Sequence, residues 1–272
     1  MAFSERIKKE IEDYCNNHLA DDSWYENEFS FIQDIELRHR IITEFKAIRF
    51  AYKLYEGIGA TDANLMFEVR NQILAYASIY EAVIENVLTT YYSDTAEFES
   101  LMHHTVPVRI SIPQDKMNKL QDALSHDGKE IVPFYYCKKE KQKPQVRFDD
   151  KCRTAECLGL IHKFVNDKQI EIDLPSELIE IYSYRNGIHI IAEQRKGISY
   201  ELDLSKRAYR RMRPFIDQLK EKLEQDGKIK KFCELLLDSI IVEKCKDIYS
   251  LMYIFAFLFG ILSAICRDIF TM

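Results

Sequence analysis

Glycine and proline are scarce in this chain of 272 residues, at 8 and 6, about one position in twenty and well under ordinary usage. So little turn chemistry excludes a β-sandwich of many short strands. Some signatures are missing altogether. No GxxxxGK[ST] loop excludes a P-loop ATPase, no GxGxxG a dinucleotide enzyme, and no GxSxG a serine hydrolase elbow. A net charge of −6 excludes a protein basic throughout that coats nucleic acid. What the chain does have is 47% apolar and 30% charged residues, with 16 Tyr and 16 Phe. That balance excludes disorder and points to a mainly helical fold. The length suits one core of ~150–200 residues with appendages.

No CxxC pair occurs, and the seven cysteines are irregularly spaced. The opening MAFSERIKKEIEDYC is charged and lacks an apolar signal region, so the thiols are expected to be reduced core fillers in a cytoplasmic protein. Cys152, Cys157 and His162 fall at steps of five, which turn each side chain about 140° from the last on a helix. They do not converge on one ion. No metal and no cofactor is expected.

Residues 30–56 place Leu37, Ile41, Ile42, Phe45, Ile48, Tyr52 and Tyr55 at steps of three and four, an amphipathic helix closed by Gly57 and Gly59. Thr61 and Asp62 offer a cap for a second helix over 62–92 with the stripe Leu65, Val69, Ile73, Tyr76, Tyr80, Val83, Ile84, Val87 and Tyr91. The texture changes at 100–150. VPVRISIP alternates as a strand does, a short helix follows at 115–125, then come IVPFYYC, a lysine-rich run at 138–143 read as a solvated loop, and PQVRF. Helical spacing returns at 150–165 and at 176–192. Ser205 is placed to cap a helix over 206–226 that stops at Gly227, with Pro214 expected to bend or break it. The expected organisation is N-terminal helices over 1–59, a helical domain over 60–226 carrying the 100–150 insertion, a connecting helix over 227–247, and an apolar helix over 248–266.

Chemistry concentrates in one short stretch, Arg185-Asn186-Gly187-Ile188-His189. On a continuous helix Arg185 and His189 share a face. A helix-interior Gly187 would cost about 1 kcal/mol relative to alanine and would permit a close approach. Two readings stay open: an Arg–His pair that does chemistry, or a polar contact at a helix junction.

This stretch resembles the Arg-Asn…His motif of the HEPN superfamily, and ASIYEAVIENVLTTYY resembles the early helix that packs behind it. The helix order over about 60–225 is also similar. The resemblance implies a HEPN-like helical bundle, a metal-independent endoribonuclease, and a homodimer that sets two motifs face to face. It also implies toxin, abortive-infection or other antiviral-defence work with a regulatory or antitoxin partner. Three residues separate Arg185 from His189, fewer than in most of the family, and some members of that family are non-catalytic.

The chemistry of the residues fits RNA cleavage. An imidazole titrating near ~6.5 lets His189 take and return a proton. The planar fork of Arg185 suits the scissile phosphate, and Asn186 would orient either group. Glu81 on the early helix is a candidate partner for Arg185. Seven cations, Arg195, Lys196, Lys206, Arg207, Arg210, Arg211 and Arg213, face only Glu201 and Asp203 in the following stretch. They suit an RNA backbone or, equally, a solvated helix face. Tyr182, Tyr184, Tyr200 and Tyr209 are near enough in sequence to stack bases, or to fill the core.

Ile248–Cys266 is free of charge over nineteen residues. As a helix it reaches roughly 28 Å, close to a hydrocarbon core of ~30 Å. Lysines before it would keep the preceding domain in the cytoplasm; the other reading is a buried helix. Three function classes follow: a nuclease, a non-catalytic scaffold binding RNA or protein, and a membrane-tethered effector acting through its tail.

Overall fold

The computed structural model describes residues 2–124, 127–142, 145–187, 194–195, 197 and 200–230. The expected apolar helix at 248–266 and most of the 227–247 connector lie outside the described residues. Residues Met1–Lys222 form one compact unit and Leu223–Met272 a second.

The fold is mainly α. Nine helices occur among the described residues: α1 Glu5–Asn16, α2 Asp22–Glu28, α3 Ile35–Gly57, α4 Asp62–Tyr91, α5 Ala96–Met102, α6 Gln114–Ala123, α7 Phe148–Cys157, α8 Leu174–Asn186 and α9 Leu202–Gln225. Two antiparallel ribbons complete it, β1 His103–Arg109 with β2 Phe134–Glu140, and β3 Phe164–Val165 with β4 Glu171–Ile172.

The long α4 is the core of the first unit. Of the expected stripe it buries all but the half-buried Leu65, and it also buries Glu68, Gln72, Ala77, Ile79 and Leu88, because α3, α7 and α8 pack on it from different sides. α9 closes a further side: the Tyr80 ring meets Phe215 at 5.0 Å, and its hydroxyl donates to the Ala208 carbonyl at 2.6 Å. Tyr76, Tyr80, Ile73 and Phe215 are all essentially inaccessible, each large side chain contributing about 1.5–3 kcal/mol of apolar burial. On α3 the middle of the expected stripe, Ile41, Ile42, Phe45 and Ile48, is buried, and Leu37, Tyr52 and Tyr55 are half-buried. Gly57 ends this helix where a Cβ would stand 2.8 Å from the Tyr14 ring of α1, so the glycine permits the α1–α3 approach.

Several local expectations are corrected. Thr61 stands at the α4 N-cap position but makes no side-chain cap bond. The helix expected at 150–165 stops at Cys157, because Gly159 adopts φ +74° and the chain turns into β3. The strand expected at 106–112 starts earlier, at His103, and Ile110 and Ile112 lie beyond it. Lys138 and Lys139, read as loop, belong to β2, paired with Thr105 and His104. Ser205 is no cap: α9 begins at Leu202, and the buried Ser205 hydroxyl donates to the Gln72 side chain of α4. Pro214 does not break α9, which runs through it; tertiary packing of Met212, Phe215 and Ile216 on both sides outweighs the lost backbone bond.

Candidate functional site

α8 carries Arg185 and Asn186 to its C-terminal end. Asp173 caps the helix, accepting from the Ser176 N–H at 3.1 Å, and Pro175 occupies the first turn. Leu174, Leu178 and Ile181, at helical spacing, are buried. Tyr182 and Arg185, three apart, share another face. The helix expected to reach residue 192 ends at Asn186, with Gly187 as its C-cap (φ −91°, ψ 0°). Gly187 is therefore not a helix-interior residue and carries no interior cost. Ile188, His189 and Lys196 lie outside the described residues.

Arg185 is half-buried and held at several points. Its Nη1 donates to the Tyr182 hydroxyl at 3.0 Å and to Asn186 Oδ1 at 3.4 Å, and its guanidinium carbon stands 5.1 Å from the Tyr182 ring centroid. The Tyr182 hydroxyl in turn donates to Glu81 Oε2 on α4 at 3.0 Å. Glu81 thus reaches Arg185 through a tyrosine hydroxyl. Its other oxygen lies 3.6 Å from Nζ of the buried Lys151 on α7, which also pairs with Glu85 at 2.6 Å. Phe148, a turn before Lys151, stacks on Tyr182 with centroids 4.3 Å apart and planes 22° from parallel.

Three helices therefore fix one guanidinium. Burial, together with the hydrogen bond to Glu81 and its charge, pushes the pKa of Tyr182 up to about 12. The hydroxyl stays protonated at neutral pH and works as a relay, donating to Glu81 and accepting from Arg185. Beside it a cleft of about 410 Å³ is lined by Glu81, Arg147, Phe148, Tyr182, Ser183 and Asn186 among others. Asn186 is exposed, so an entering group meets its amide. A guanidinium aligned in this way can accept a phosphate through its remaining N–H groups.

The basic stretch is less open than its sequence implies. Arg207 pairs with Glu180 at 2.9 Å, and Arg211 holds Glu177 through two bonds of 2.5 and 3.2 Å. Arg213 pairs with Asp217 at 2.9 Å and with the buried Glu28 of α2 at 3.4 Å. These three arginines clamp α9 to α8 and α2. Arg195 and Arg210 are exposed. Of the four tyrosines, Tyr182 is the relay, Tyr184 is half-buried, Tyr200 is buried and donates to the Tyr184 carbonyl at 3.1 Å, and Tyr209 is exposed.

Sequence reasoning missed Lys151 and the relay role of Tyr182. The spacing of Tyr182 three residues before Arg185 was a usable signal. Lys151 had none, because its partners lie 66 or more residues away in sequence. Cys15 and Cys152 are buried fillers whose thiol pKa values burial pushes up; Cys157 is exposed. Among the described residues no cluster of three or more His, Cys, Asp or Glu is arranged to hold a metal, and no helix is long and apolar enough to cross a membrane. Comparison of the chain with protein-family models, curated proteins and solved structures returns no match.

Proposed function

We propose that this chain is a HEPN-type, metal-independent endoribonuclease, with Arg185, Asn186 and His189 as its catalytic residues. The observation that carries the reading is the fixed guanidinium: Glu81 and Tyr182, which hold Arg185 at a helix end, themselves line an open cleft with Asn186. A group that only tied α8 to its neighbours would not need its own alignment by a half-buried relay.

In the proposed reaction the ribose 2′-oxygen attacks the adjacent phosphorus while His189 takes its proton. The P–O5′ bond breaks, the 5′-oxygen takes a proton from solvent, to which His189 releases the one it took, and a 2′,3′-cyclic phosphate remains. Arg185 and Asn186 stabilise the charge on the phosphoryl oxygens, and the proton transfers contribute about 10²–10⁴-fold. The same reading has two copies pair as a homodimer, RNA as substrate, a toxin or defence setting with a regulatory partner, and 248–266 as a tether at the cytoplasmic face of a membrane. Its backbone contacts are the exposed Arg195 and Arg210, with Lys196, outside the described residues, assigned to the same role from the sequence alone.

A second reading is a non-catalytic HEPN-like scaffold. The ion pairs of Arg207, Arg211 and Arg213 within one protomer favour it. One experiment separates the two. Full-length protein is incubated with end-labelled RNA in EDTA beside Arg185→Ala and His189→Ala. The nuclease reading expects cutting by the parent and at least a hundredfold loss in each variant; equal cutting by all three, or by none, leaves the scaffold.

A further inference from the structure

A second cleft, sharing no residue with the one beside Arg185, lies between α3 and α9. It measures about 240 Å³ and is lined by Arg49, Tyr52, Lys53 and Glu56 of α3 and by Ser205, Lys206, Tyr209 and Arg210 of α9, with Gln72 of α4 beneath. Each helix presents two cations four residues apart, so two rows of positive charge face one another. Four cations meet one carboxylate, a local balance of +3 in a chain of −6. Lys53 takes that carboxylate, Glu56, at 2.6 Å. Arg49, Lys206 and Arg210 have no carboxylate within ion-pairing distance among the described residues.

The cleft is built rather than incidental. The Arg49 guanidinium is fixed between two rings, its carbon 3.8 Å from the Tyr209 centroid and 5.2 Å from that of Tyr52. The Lys53 side chain is only 16% exposed although charged. Ser205 and Gln72 are hydrogen-bonded to each other below, and Gln72 donates on to the buried Glu68 at 2.9 Å. Like charges gathered at a partly buried place repel one another unless an anion joins them.

Which anion follows from the neighbouring charges. An extended nucleic-acid strand needs a long row of available cations, and the adjoining arginines of α9, Arg207, Arg211 and Arg213, are taken by carboxylates. What remains is compact and trivalent. We infer that the α3–α9 cleft binds the phosphate chain of a small polyphosphorylated ligand, with Lys206 and Arg210 gripping its oxygens and the ring-clamped Arg49 as a bidentate donor. Arg210 and Tyr209 are exposed at the rim, so a group carried on the chain can extend into solvent.

The test is calorimetric titration of the full-length protein with tripolyphosphate and with ATP in EDTA, at ionic strength held constant with sodium chloride. The parent is compared with Lys206→Gln/Arg210→Gln, with Lys206→Arg/Arg210→Lys, and with Lys116→Gln/Lys119→Gln, which removes two charges from α6. Expected is saturable binding at one site per chain, weakened at least tenfold in the first variant and retained in the other two. ATP tighter than tripolyphosphate identifies a nucleotide as the source of the chain, and equal affinity an inorganic polyphosphate. No saturable binding by the parent, or the same weakening in the α6 variant as in the α9 variant, overturns the inference. The melting temperature of each unliganded variant shows that the comparison is between folded proteins.

Discussion

At the scale of single residues, the structure turns on a few buried polar groups and what each is given. Glu68 is 4% exposed and, among the described residues, has one donor, Gln72. Burial raises its pKa above the ordinary carboxylate value. A carboxyl whose pKa is raised on folding opposes stability because the unfolded chain ionises first, so its penalty is absent below the unfolded value, grows as pH rises from the unfolded to the folded value, and is complete above the latter. Glu68→Gln keeps the accepting oxygen and removes the charge. Its melting temperature should exceed the parent's at pH 7, with the difference shrinking toward pH 4; a variant less stable at pH 7 would mean the charge is compensated. Tyr182 is the opposite case, a neutral group between two charges. Tyr182→Phe keeps the stack on Phe148 and removes the relay. Loss of a hydrogen bond to a charged group is about 1.5 kcal/mol, or about tenfold in rate. The expected result is that drop in single-turnover cleavage with RNA affinity nearly unchanged. An unchanged rate would mean Arg185 is aligned without the relay.

At the scale of elements, α4 and α9 are tied at one central point, where Tyr80 meets Phe215 edge to face and donates to the Ala208 carbonyl. Phe215→Ala should destabilise by about 3–5 kcal/mol through the cavity it leaves. Tyr80→Phe should cost about 1–2 kcal/mol, the price of one buried bond. Denaturant melts distinguish the two, and equal losses would show that the hydroxyl matters as much as the ring. Helices α3 and α4 were legible in the sequence because long apolar stripes at a 3.6-residue period survive any local irregularity. Their neighbours were less so. The end of α8 depends on how Gly187 is used, and a glycine serves equally as an interior residue or a cap. Ser205 reads as a cap by type, yet its hydroxyl is taken by Gln72, 133 residues away. The Arg185 motif was legible as a pattern, whereas its support by Tyr182 and Lys151 is tertiary and left no local mark.

At the scale of the whole molecule, the charges divide into three groups with different tasks. Arg207, Arg211 and Arg213 join helices. Arg49, Lys53, Lys206 and Arg210 gather at the α3–α9 cleft. Arg185 stands apart, aligned by a relay that begins on α7 and passes through α4. On the proposed function, a chain of net −6 that keeps one arginine so placed cuts RNA rather than coating it. The most direct measurement is the chemistry of the cut ends. RNA cleaved by the full-length protein in EDTA should carry 2′,3′-cyclic phosphates and free 5′-hydroxyls, and those ends should vanish with His189→Ala. Products bearing 5′-phosphates, or cyclic ends that persist undiminished in the His189 variant, would contradict attack by the 2′-hydroxyl at this site.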